Sequence, residues 1–172
     1  MHDGDHAERV RAAAVMLATF AVGLGVPDLD FLLPFGHRSA LTHSILPLLL
    51  ILAHPAGRSL LPGLALGIGV HLSADSFPNA MTGFARIRLP LAGALSPAWS
   101  YVWLGSNALA AVMIGATTAG RLLPRVWALG VLAAVVLGSV AYLFVTDGGW
   151  PALLVYAAAG AAGWRWRRQR SS

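Results

Sequence analysis

The chain has 172 residues, 57% of them hydrophobic and only 11% charged, with twelve arginines, no lysine and a formal charge of +5. Soluble domains carry roughly 25% charged residues, so this composition and a mean hydropathy of +0.68 indicate a single membrane-embedded domain over 1–172. The absence of cysteine excludes disulfides, thiolate metal ligands and a cysteine nucleophile.

Six apolar segments follow in chain order: 12–26, 40–53, 60–74, 101–119, 126–146 and 150–163. The expected fold is therefore all-α, a polytopic membrane bundle of about six helices, several of them short. The fourth and fifth approach the roughly 20 residues a helix needs to cross a bilayer. Pro47 and Pro62 each interrupt a short segment, which neighbouring helices or water can accommodate. The poorly cationic start, with Asp3, Asp5 and Glu8 beside Arg9 and Arg11, argues against a cleaved signal peptide. The stretch 76–97, rich in Pro and Gly, reads as an outer loop able to cover or border a site.

Threading six helices with both termini in the cytoplasm puts nine arginines inside and three (Arg38, Arg86 and Arg88) outside. That asymmetry is the positive-inside pattern of an inner-membrane protein. The tail Arg165-Trp166-Arg167-Arg168-Gln169-Arg170 is then a cytoplasmic flank, and no nucleic-acid partner is expected.

Beyond the first eleven residues only four acidic side chains occur, and Asp28, Asp30 and Asp75 are three of them. A charged Asp near the bilayer centre costs roughly 2.5–3.5 kcal/mol on insertion scales, so such residues usually have a use. They stand in Pro27-Asp28-Leu29-Asp30 and His71-Leu72-Ser73-Ala74-Asp75; between them lie His37-Arg38 and Thr42-His43-Ser44. The threading places all these clusters at the outer end of the first three helices, in the motif-bearing half 1–97. The half 98–172 is helical and carries no motif.

Asp28 and Asp30, one residue apart, repel unless a cation lies between them or one is protonated. His71 and Asp75 share a helix face at i, i+4. Three carboxylates and one arginine leave two negative charges, which one divalent ion balances. Candidate metal ligands are Asp28, Asp30, His37, His43, His71 and Asp75. Zinc suits these donors best, with manganese the alternative. Asp30 or Asp75 could act as general base, and Arg38 could hold an anionic substrate group or pair with Asp28 or Asp30. Thr42 and Ser44 could support His43 from behind or cap the second helix. His54 falls at the opposite end and reads as structural, whereas His2 and His6 lie in a polar N-terminal tail.

The run P-D-x-D, then H-R-[SG]-x-T-H-S, then a helix ending H-L-x-x-D resembles the YdjM-like family of bacterial inner-membrane metal-dependent hydrolases. The matching residues are Pro27-Asp28-Leu29-Asp30, His37-Arg38-Ser39-Ala40-Leu41-Thr42-His43-Ser44 and His71-Leu72-Ser73-Ala74-Asp75. The resemblance covers the first half of the chain. It implies an integral membrane protein, a divalent metal and hydrolysis of an ester or phosphoester in a lipid or membrane-proximal substrate. A more distant likeness to the helical zinc phospholipase C and P1 nuclease group favours a phosphoester. Two departures stand out. A Thr-His pair usual in the family's first helix is replaced upstream by His2 or His6 alone, and the segment 76–83 is longer than the family's loop. The alternative is a non-catalytic membrane protein, a metal or proton transporter or a structural partner, using the same Asp/His cluster.

Overall fold

The computed structural model describes residues 3–32, 37–55, 57–76, 81–146 and 153–171. They form an all-α bundle in which five long helices and one short one carry nearly all the regular structure: α1 (Asp3–Gly23), α2 (Leu46–Leu52), α3 (Gly57–Ser76), α4 (Pro97–Leu122), α5 (Arg125–Val145) and α6 (Leu153–Ser171). A 3-10 turn, Pro27–Leu32, follows α1, and a small hairpin, β1 (Arg88–Leu89) with β2 (Gly93–Ala94), precedes α4.

α3 is the hub. It is apolar on every face from Leu61 to Val70 and buried from Leu61 to Ala74, as a helix stretch without a polar stripe must be. Glycines bring α1 against it: a Cβ on Gly63 or Gly67 would collide with the backbone oxygens of Met16 and Phe20. Small residues permit this close backbone approach. On the other flank Gly69 faces Val112 and Ala108 of α4, and Gly115 faces Pro62 and Leu66. α1 and α3 therefore run parallel, and α4 runs antiparallel to both. Pro124 ends α4 and starts α5, which returns alongside α1, with Trp127 at His6 and Gly138 at Phe20. The C-terminal ends of α1, α3 and α5 thus meet at one end of the bundle.

Local chemistry sets the helix limits. Ser96 caps α4, accepting the Trp99 N–H at 3.4 Å, with Pro97 in the first turn. Pro47 likewise begins α2 and does not interrupt it.

The extent of the second helix is corrected. Segment 40–53 is helical only over Leu46–Leu52, too short to cross a bilayer, because Ser39 to Ser44 are held in turns by contacts to the site and to the hairpin. The N-terminal tail is helical from Asp3 and continuous with α1, steadied by Arg9 against Asp5 at 3.8 Å. The basic tail is helical too, with Arg168 over the Trp164 ring and Arg170 over Trp166, each at 3.9 Å.

α4 and α5 are long and apolar enough to cross a membrane. α5 turns Leu129, Val136, Leu137 and Phe144 outward.

Candidate metal centre

Every expected ligand lies at the end of the bundle where α1, α3 and α5 finish. The 3-10 turn after Gly23 carries Asp28 and Asp30, the turns before α2 carry His37 and His43, and the last turns of α3 carry His71 and Asp75. The hairpin braces the second group: Arg88 N–H donates to Arg38 O at 2.9 Å, and Ala40 N–H to Arg88 O at 2.8 Å. Trp103 of α4 donates its indole N–H to His43 O at 2.8 Å.

Each inner side chain is gripped from behind. His71 Nδ1 lies 2.7 Å from Leu24 O, a partner that can only accept, so Nδ1 is the donor there and Nε2 faces inward. His43 Nδ1 stands 3.2 Å from Asp30 Oδ2 and 3.2 Å from the Thr42 hydroxyl, which also leaves Nε2 facing inward. Asp75 Oδ1 accepts from Arg38 at 2.9 Å, and Oδ2 turns toward the two rings.

The inward atoms converge. Asp75 Oδ2 is 3.2 Å from His43 Nε2 and 3.3 Å from His71 Nε2, and Asp28 Oδ1 is 3.7 Å from His71 Nε2. Ligands about 2.0–2.1 Å from a tetrahedral ion stand roughly 3.4 Å apart, which is this spacing. Although close, His43 Nε2 and Asp75 Oδ2 are both buried without a hydrogen-bond partner among the described residues. They approach each other without hydrogen-bond geometry. Buried polar atoms are normally satisfied, and a shared cation would satisfy both. The Asp and His side chains can therefore hold a metal ion, with Asp28, His43 and His71 as one set and Asp28, Asp30 and His37 as another.

Burial pushes the Asp30 carboxyl up, but hydrogen bonds from His43, from the Ser39 N–H at 3.0 Å and from His37 outweigh it, leaving a pKa of about 2. Burial pulls His43 down, and its contacts to Asp30 and Asp75 more than reverse this, so its pKa is raised.

Arg38 pairs with Asp75, a partner the sequence reading did not name. Its guanidinium also donates to Ala85 O at 2.7 Å, and its backbone takes the left-handed φ of 58°. With the side chain 11% exposed and so engaged, Arg38 orients Asp75 and is not open to a substrate anion. Asp30 is fully buried, and Oδ2 receives Ser39 N–H, Thr42 and His43, which makes it a poor acceptor for a water proton. Ser44 turns away: it donates to Leu41 O and accepts Leu46 N–H, both at 3.1 Å, at the entry to α2. His6 packs on Trp127 at the far end of α1, with ring centroids 5.5 Å apart, and is no ligand. His2 lies outside the described residues, as do residues 77–80 of the long loop after Asp75.

Sequence reasoning missed Tyr142, whose hydroxyl lies 3.2 Å from His71 Nδ1. The available signal was its place near the outer end of the fifth apolar segment, level with the clusters. It also missed the Leu24 carbonyl and the Ser39 amide, which no residue-type pattern reveals. Comparisons of the chain with protein-family models, with curated proteins and with solved structures find no match.

Proposed function

We propose that the protein is a membrane-bound, metal-dependent hydrolase of the YdjM-like type that cleaves an ester or phosphoester in a lipid or membrane-proximal substrate. The observation that carries this reading is the convergence of His43 Nε2 and His71 Nε2 on Asp75 Oδ2, at 3.2 and 3.3 Å, with each side chain held from behind. A divalent ion held by these residues, zinc first by donor type, would supply Lewis acidity and lower the pKa of a bound water. Water then adds across the ester, the bond to the leaving oxygen breaks, and that oxygen takes the proton. Asp30 and Arg38 serve by positioning His43 and Asp75, and Thr42 supports the same ring.

A lipid-level substrate is favoured by the rim. Phe31 and Leu32 beside Asp30, Phe84 and Leu91 around the hairpin, and Trp99 at the start of α4 are all exposed at this end. Apolar and aromatic side chains bordering a polar centre suit the headgroup region of a bilayer. The proposed topology keeps this face periplasmic and both termini cytoplasmic, in a bacterial inner membrane. A transport role draws less support. Thr117, Thr118 and Ser139 each bond a carbonyl four residues back on their own helix, and Asn107 bonds Ile45 N–H and Trp103 O, so none continues a polar path.

The test is elemental analysis of purified protein, wild type beside His71→Ala and Asp28→Ala, with hydrolysis of phospholipid and simple phosphoesters measured in parallel. Stoichiometric metal and turnover in wild type, both lost in the variants, are expected. Wild-type protein lacking stoichiometric divalent metal overturns the reading, and metal without turnover turns it toward a structural or transport role.

A further inference from the structure

Resting on the metal-dependent reading, we infer that the centre takes two divalent ions side by side with Asp28 as the shared, bridging carboxylate, and that the substrate is an anionic phosphoester. Two ligand sets overlap in one residue: Asp28 with His43 and His71, and Asp28 with Asp30 and His37. Within each set the ligand atoms lie within 4.8 Å of one another. A carboxylate common to two such sets is the arrangement that holds paired ions about 3.5–4 Å apart.

Asp30 shows how one side chain can serve both sets. Oδ2 is taken by Ser39 N–H, the Thr42 hydroxyl and His43 Nδ1, which orients the first set. Oδ1 meets His37 Nδ1 at 3.5 Å, a long hydrogen bond whose two atoms stand at a separation that ligands of one ion also take. The His37 ring is fixed for that role by stacking on Phe31, with centroids 4.3 Å apart and planes at 20°.

The two positions differ in access. The first is walled by His43 and His71, both buried; the second lies toward solution, where the His37 side chain is 29% and the Asp28 side chain 45% exposed. Charge then selects the substrate. Asp28, Asp30 and Asp75 against Arg38 leave two negative charges, so a second divalent ion makes the centre cationic by two. A neutral carboxylic ester does nothing for that excess, whereas the one or two negative charges of a phosphoester offset it.

The experiment uses the full chain in detergent, stripped of metal and titrated with Mn(II), with elemental analysis and electron paramagnetic resonance. Two Mn(II) per chain with an exchange-coupled spectrum are expected for wild type, since ions sharing a carboxylate lie within about 4 Å. His37→Ala should retain one ion and give an uncoupled spectrum. Inorganic phosphate, but not acetate, should perturb the coupled wild-type spectrum. One ion in wild type, or two without coupling, overturns the paired centre while leaving the hydrolase reading standing. No bound ion sinks both. An equal response to acetate and phosphate overturns the phosphoester assignment. The wild-type measurement decides the question even if the variant does not fold.

Discussion

His43 Nε2 and Asp75 Oδ2 lie 3.2 Å apart, both buried, and yet do not hydrogen-bond each other. The backs of both side chains are committed, the ring to Asp30 and the carboxylate to Arg38. Neither can rotate to satisfy its partner without breaking a bond behind it. Pre-orientation of this kind fits a site whose third party is a cation.

Arg38→Met removes the grip on Asp75. Both side chains are largely buried, so an unpaired carboxylate remains at a cost on the order of 3–5 kcal/mol. Metal affinity should fall about 10–100-fold as Asp75 loses its orientation. Thermal unfolding in detergent and metal titration check the two effects separately.

Gly67→Ala should loosen the site from one turn away. The new Cβ meets the Phe20 carbonyl of α1 and forces α1 from α3. That displacement moves Leu24 O from His71 Nδ1, now at 2.7 Å. Lower thermal stability and weaker metal binding are expected together, whereas Gly105→Ala, with open space at its Cβ, should alter neither.

Tyr142→Phe should leave metal stoichiometry intact. Leu24 O still accepts the His71 N–H, and only a second, longer contact at 3.2 Å is lost. One hydrogen bond is worth about 0.5–1.5 kcal/mol, so affinity should drop by roughly two- to tenfold. A complete loss of metal would show that Tyr142, and not Leu24 O, sets the ring.

The raised pKa of His43 fixes the sign of a pH response. In metal-free protein its protonated contacts to Asp30 and Asp75 contribute stability that is full below the ordinary histidine value of about 6.5 and is lost as pH rises through the raised value. A bound divalent ion requires the ring neutral, so loading should release protons and grow tighter over the same rise. Melting curves with chelator and with excess metal across pH 5–9 should therefore diverge as pH increases. Parallel curves would contradict a metal on His43.

Much of this arrangement was legible in the chain. The apolar runs marked α4 and α5 because long lipid-compatible stretches are set by composition alone. The scarcity of acid exposed Asp28, Asp30 and Asp75, and the i, i+4 spacing of His71 and Asp75 put both on one helix face. Segment 40–53 misled because an apolar run is ambiguous wherever tertiary contacts can hold it in turns, as Asp30, Arg88 and Trp103 do here.

Sequence by itself determined the helical class, the chemical types at the centre and their place at one end of the bundle, since these follow from composition and periodicity. Only the tertiary structure decided which atom of each residue faces inward. Arg38 chose Asp75, Asp30 turned His43, Leu24 turned His71, and Tyr142 arrived from a helix without a motif. Those choices depend on backbone carbonyls and on partners up to 71 residues away in the chain, where local pattern carries no information.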